Sequence, residues 1–241
     1  MTSKSLTVGV LGGLGPEATV DFMTRVIAET PASRDQDHVH LIVDQNPSVP
    51  DRQDAIFRQG ADPGPVLAAM AKRLQEAGCD FLVMPCNTAQ AYEDNIRAAV
   101  SIPLLSIIEV SIEAIPAGLD SIAVLATPAC LATGKYQQAL AAKGKEVVEL
   151  TTAESQLLMK VIYALKSGAR DDWLPEAVHE IIRELCTRGA ELVILGCTEV
   201  PLLLDRLQPP VPIISSTDEL ARRSVLLARG EIPLPGKPLI K

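Results

Sequence analysis

Eight short apolar runs punctuate the chain, at residues 6–11, 40–44, 80–85, 102–107, 121–126, 146–150, 191–196 and 211–214. Each is too short for a typical helix and lacks strict polar alternation, so each is predicted to be a strand buried on both faces. Between them, stretches such as 65–77 and 175–188 carry apolar residues at every third or fourth position, the signature of helices with one buried face. Strand alternating with helix predicts a parallel sheet with helices on both sides.

The pattern also repeats. Leu74, Gly78, Asp80 and Cys86 match Leu185, Gly189, Glu191 and Cys197 at a constant separation of 111 positions. Downstream, 102–106 matches 211–215 at a separation of 109, and upstream 8–11 resembles 122–125 at 114. Units of strand and helix look alike through shared physics, but a buried strand end has no packing need for sulfur twice. The expected fold is therefore α/β, with two similar Rossmann-like three-layer lobes whose parallel sheets are related by a pseudo-dyad. Residues 1–105 plus 216–241 would form the N-terminal lobe and 106–215 the C-terminal lobe, with the active site in the cleft between them.

Composition narrows the function. Of 241 residues, 47% are hydrophobic and 22% charged, which excludes an intrinsically disordered chain. The net charge is -8 with no basic run, and aromatic residues make up only 3%, so no nucleic-acid partner is expected. No apolar stretch approaches the roughly 18 residues of a membrane helix, so no membrane partner is expected either. The opening 1–14 reads as a first strand rather than a signal peptide. Five cysteines, Cys79, Cys86, Cys130, Cys186 and Cys197, show no Cys-x-x-Cys spacing, which fits a reduced cytoplasmic setting and not a disulfide scaffold.

Under the pseudo-dyad, Cys86 and Cys197 would flank one ligand beyond the carboxyl ends of strands, where open α/β sheets bind. Two opposed thiols suit inversion of a carbon centre by proton transfer: a base on one face, an acid on the other, and exchanged roles in reverse. A thiol with a pKa near about 8.5 supplies both forms at cellular pH. Cys79, Cys130 and Cys186 read as small packing residues. Asn87, Thr88, Thr198 and Glu199 give the two cysteines polar neighbours, as substrate anchors or as helix caps. Thr127, directly after the run at 121–126, joins the candidate substrate-binding residues.

Gly13, Leu14 and Gly15 belong to a glycine loop opening the first helix. It formally satisfies G-x-G-x-x-A, but Pro16 removes an amide donor and Glu17 places a negative charge where a pyrophosphate would sit. Backbone approach by a small ligand is the better reading, with a structural turn as the alternative. Arg52, after the proline-bearing segment 46–51, could fork onto a carboxylate, or pair with Asp51 on the surface. Lys166 is a second candidate cation, although a solvated lysine at a helix C-terminus explains it more simply. His38 and His40 lack a third metal ligand at a suitable spacing, and no Gly-x-Ser-x-Gly accompanies His179.

Four separated motifs, Gly12-Gly13-Leu14-Gly15-Pro16-Glu17-Ala18-Thr19, the segment 46–52, Pro85-Cys86-Asn87-Thr88-Ala89 and Gly196-Cys197-Thr198-Glu199, resemble the cofactor-independent aspartate/glutamate racemase family. The resemblance implies Cys86 and Cys197 as opposed acid and base, with Asn87, Thr88 and Thr198 holding the substrate's α-carboxylate and amino group. It implies Arg52, and by approximate position Lys166, as partners of a side-chain carboxylate. The chain departs from the family at Leu14 in place of the usual Met, at Gln90 in place of a common His, and at Leu220 in place of a C-terminal His. The expected function is racemisation of aspartate or glutamate with no cofactor and no metal, by a cytoplasmic homodimer whose partner is a small amino-acid substrate. The alternatives are a ligand-binding protein without turnover, an isomerase of a different amino or dicarboxylic acid, and an oxidoreductase using the glycine loop.

Overall fold

The computed structural model describes residues 5–235, so residues 1–4 and 236–241 of the expected first lobe, and the start of the expected opening strand segment at 1–14, lie outside the described residues. The chain runs β1 (Val8–Gly12), α1 (Pro16–Glu29), β2 (Leu41–Gln45), α2 (Arg52–Phe57), α3 (Gly64–Glu76), β3 (Phe81–Val83), α4 (Glu93–Ala99), β4 (Leu104–Leu105) and α5 (Ile107–Glu113). It continues through β5 (Ser121–Leu125), α6 (Pro128–Ala132), α7 (Lys135–Ala142), β6 (Glu146–Val148), α8 (Thr152–Lys166), α9 (Trp173–Thr187), β7 (Leu192–Leu195), β8 (Ile213–Ser215) and α10 (Ser216–Ala228). Each of the eight apolar runs holds a strand, two to five residues long. Two compact units result, one reaching to Ile107 and resuming at Thr217, the other spanning Ile108–Ser216.

In the first unit a parallel sheet has the order β2-β1-β3-β4. Helix α3 turns Leu67, Met70, Ala71 and Leu74 into a core shared with Leu11, Leu82, Met84 and Ile96. In the second unit a parallel sheet has the equivalent order β6-β5-β7-β8. Helix α8 starts from a capping box, in which the Thr151 hydroxyl accepts from the Glu154 amide while the Glu154 carboxylate accepts from the Thr151 amide. Helix α9 buries Leu174, Val178, Ile181, Ile182 and Leu185 against Val161, Val193 and Leu195. The central strands β1, β3 and β7 are wholly buried, as continuous apolar runs predict. The edge strands β2 and β6 are only half-buried, whereas the opposite edges β4 and β8 are mostly buried.

The strand register reproduces the sequence repeat. Val8 pairs with Phe81 in the first sheet and Ile122 with Leu192 in the second, while Leu82 pairs with Leu104 and Val193 with Ile213. These are matched positions at the separations found along the chain. The repeated Leu-x-x-x-Gly is a helix ending: Gly78 (φ 91°) and Gly189 (φ 96°) adopt the left-handed conformation, and the next amide, of Cys79 or Ala190, closes on the carbonyl of Leu74 or Leu185. The repeated acid clasps a neighbouring strand. Asp80 accepts the Thr7 amide at 2.7 Å, and Glu191 accepts the Asp120 and Ser121 amides at 2.7 and 2.9 Å.

Candidate active site

The first unit gathers most of its predicted site residues at the carboxyl ends of β1, β2 and β3. After β1, Gly13 takes φ 89° with its Cα so close to the next strand that a Cβ would stand 2.5 Å from the Asn46 carbonyl carbon. Only glycine fits there. The Gly13 amide donates to the Thr19 hydroxyl at 2.9 Å, and that hydroxyl donates to the Gly15 carbonyl at 3.1 Å, so the loop folds onto the first turn of α1. Gly15 precedes α1 and Pro16 begins it. Glycine therefore meets a structural demand at Gly13, whatever else the loop binds. The Leu14 side chain is buried in the same core cluster as Val49, Met84 and Cys86, while its carbonyl oxygen is held by Arg52.

Arg52 is the first residue of α2, directly after the proline-bearing segment. Its guanidinium donates to three main-chain carbonyls, Pro50 at 3.1 Å, Leu14 at 3.2 Å and Val49 at 3.4 Å. A surface pair with Asp51 is not what forms: Asp51 caps α2 by accepting the Asp54 amide at 2.9 Å. Cys86 follows β3 and is 6% exposed. Asn87, Thr88 and Gln90 are buried beside it in the chain, and Gln90 is fully enclosed. The segment from Thr88 to Tyr92 is a 3-10 helix, and Asn87 makes no side-chain cap to it. Bonding from i to i+3, here from the Gln90 amide to the Asn87 carbonyl at 3.1 Å, winds this short element tightly. The Gln90 side-chain nitrogen lies 3.5 Å from the Met84 carbonyl, and its oxygen has no hydrogen-bond partner.

The second unit builds the matching strand end. Gly196 packs so tightly that a Cβ would fall 2.9 Å from Val124 and 3.3 Å from the Tyr136 ring, which fixes where Cys197 begins. Cys197 is 5% exposed, and Thr198 and Glu199 are buried with it. Another 3-10 helix, Val200–Arg206, follows. The Cys197 thiol donates to Glu199 Oε2 at 3.0 Å, and Lys166 Nζ stands 3.1 Å from Glu199 Oε1. Burial and the adjacent carboxylate push the Cys197 thiol well above its ordinary pKa, with Lys166 pulling the other way. Cys197 is accordingly a thiol at neutral pH. Lys166 is not the solvated helix-end lysine that its position suggested, because its ammonium is paired with a buried acid. Thr127 caps α6 by accepting the Cys130 amide at 3.2 Å.

Among the described residues, β3 and β7 thus end at equivalent buried cysteines, each followed by polar side chains and a 3-10 turn. Comparison with known proteins places the whole chain. Residues 11–223 match the family described as Asp/Glu/Hydantoin racemase. The chain belongs to that racemase family. It is 30% identical over 222 residues to the broad specificity amino-acid racemase RacX of Bacillus subtilis (strain 168), covering 90% of this chain and 96% of the relative. The aspartate racemase of Picrophilus torridus superposes with a TM-score of 0.82 at 26% identity, over 98% of this chain and 96% of that one. An aspartate racemase homologue from Pyrococcus horikoshii OT3 gives 0.74 at 26% identity, over 92% and 98%.

In this racemase-family chain two contributors escaped sequence reading. Tyr136 is fully buried with its side chain hydrogen-bonded to Ser111, and its ring lies under Gly196. A lone aromatic in a helix carries no signal of that placement. The Cys197–Glu199 bond was legible only as a Cys-x-Glu spacing, which says nothing about where the carboxylate turns.

Proposed function

We propose that this chain interconverts the enantiomers of an acidic amino acid, aspartate or glutamate, by proton transfer at the α-carbon between the thiols of Cys86 and Cys197. The observation that carries the reading is the recurrence of one buried cysteine at the same end of the same strand in both duplicated units. Such a reaction requires the two sulfurs to reach opposite faces of one α-carbon. The bound proton on Cys197 gives it the acid's part in one direction, so a Cys86 thiolate removes the α-proton and Cys197 returns one to the other face. For the opposite enantiomer the parts exchange. Asn87, Thr88 and Thr198, next to the two sulfurs in sequence, are assigned to the substrate's carboxylate and amino group, and Arg52 to an acidic side chain. The activities named for the Bacillus and Picrophilus relatives support racemisation, and the breadth named for RacX makes side-chain range the first property to measure.

The test is incubation of single enantiomers in deuterated buffer without added cofactor. Racemisation accompanied by α-deuterium is expected, with aspartate and glutamate leading a panel of acidic and neutral amino acids. Cys86→Ser and Cys197→Ser should each abolish it. Near-parental exchange in either variant removes the two-thiol assignment.

A further inference from the structure

Glu199 stands between two partners of opposite chemistry. Its Oε2 accepts the Cys197 thiol at 3.0 Å, and its Oε1 forms an ion pair with Lys166 at 3.1 Å that lacks hydrogen-bond alignment. The Glu199 side chain is 6% exposed. A carboxylate withdrawn from water this far is stable as an anion only where protein groups replace its hydration. Here a thiol proton and an ammonium do so, both within the second unit.

We propose that Glu199 is the proton partner of Cys197, a positioning residue held in its ionised form by Lys166, and not a ligand of the substrate. The proposal rests on the two-thiol reading above. In the transfer, the S–H bond of Cys197 breaks, its electron pair stays on sulfur as a thiolate, and the proton forms an O–H bond at Glu199 Oε2. Nothing is oxidised or reduced. The thiolate can then accept an α-proton, which itself restores the thiol, and Glu199 gives its stored proton up to water; where no α-proton arrives, the stored proton returns to the sulfur. A racemase needs both forms of each sulfur, since the product of one direction is the substrate of the other. Around Cys197 the titratable groups are Glu199, Lys166 at the end of α8, Tyr136 on α7, which burial keeps protonated, and Cys130 beside that ring.

The pH dependence of Cys197 alkylation by iodoacetamide, followed in the whole protein by peptide mass spectrometry, tests this. Glu199→Gln keeps the shape and removes the charge, so the alkylation midpoint should fall by roughly one to three units. Lys166→Met leaves the carboxylate unneutralised and should raise it. Glu199→Asp should restore a midpoint above that of the Gln variant. The acid limb of the racemisation profile should move with the same signs. Midpoints that stay put, or that move together in the Gln and Met variants, overturn the proton-partner assignment while an inactive Cys197→Ser leaves the two-thiol reading standing. Persistent deuterium exchange in Cys197→Ser removes that reading itself.

Discussion

Arg52 Nη2 donates to the carbonyl oxygen of Leu14 at 3.2 Å, so a single guanidinium ties the segment after β2 to the glycine loop after β1. Its Nη1 holds the Pro50 and Val49 carbonyls from the other side of the fork. A lysine keeps the charge but offers a point donor in place of two planar arms. Arg52→Lys is therefore expected to lower unfolding free energy by about 1 kcal/mol, measured by urea denaturation. A loop shifted by a fraction of an ångström also misplaces whatever it lines, so kcat/KM for racemisation should fall about tenfold or more. A lysine variant equal to the parent in both measurements would show that the tie has no consequence.

Two glycines with positive φ separate steric demand from conformational demand. At Gly13 a methyl group would strike the Asn46 backbone, with the carbonyl carbon at 2.5 Å and the amide nitrogen at 2.7 Å, and backbone cannot swing aside. At Gly189 nothing lies within 4 Å, so alanine meets only the left-handed conformation itself. Gly189→Ala should cost about 1–2 kcal/mol. Gly13→Ala should cost distinctly more, because it adds a backbone collision to the same penalty, and it should disturb racemisation as well. Equal losses in urea unfolding would contradict the close approach of β1 and β2.

Much of this molecule was legible before its fold was known, for identifiable reasons. The strands declare themselves because central parallel strands are buried on both faces and must be apolar throughout. The duplication could be read because Gly78 and Gly189, Asp80 and Glu191 perform the same tasks in both units, a left-handed helix ending and a clasp on the adjacent strand. Those tasks also explain why most of the repeated motif is architecture; the remaining matched pair, Cys86 and Cys197, is buried in the core clusters of the two units. Side-chain direction was the part that could not be read. Arg52 and Lys166 were recognised as cations, but nothing in their spacing shows that one turns to main-chain carbonyls and the other to Glu199. The 3-10 turns after both cysteines were hidden for a similar reason, since helix-forming residues occupy either kind of turn.

Cys79 offers an alkaline test independent of catalysis. Burial, helped by the negative charge of Asp80, raises its thiol from 9.0 to about 11. The folded state therefore holds this proton more tightly than the unfolded chain does. The associated stability is present below pH 9.0 and is lost as pH rises through about 11. Cys186, Cys197 and Tyr136 are shifted in the same direction and contribute in parallel. In Cys79→Ala the decline in urea midpoint between pH 8 and pH 10.5 should be shallower than in the parent, roughly by the share of one titrating group. Parallel declines in the two proteins would mean that Cys79 ionises as freely in the fold as outside it.

The clasp at Glu191 predicts the opposite limb. Its carboxylate accepts the amides of Ser121 and Asp120, and those bonds lower its pKa from 4.5, the Ser121 bond most strongly. A depressed carboxyl contributes stability above pH 4.5 that disappears as pH falls through its lower folded value. Glu191→Gln keeps one accepting oxygen but no charge, so it should be less stable than the parent at pH 7. The difference should shrink on acidification, and the two proteins should converge once the native carboxyl is protonated. Asp37 and Glu154 are lowered too, but they titrate identically in both proteins and cancel in the comparison. A gap between the urea midpoints that stays constant from pH 7 down to pH 3 would show that the clasp works through shape alone, without its charge.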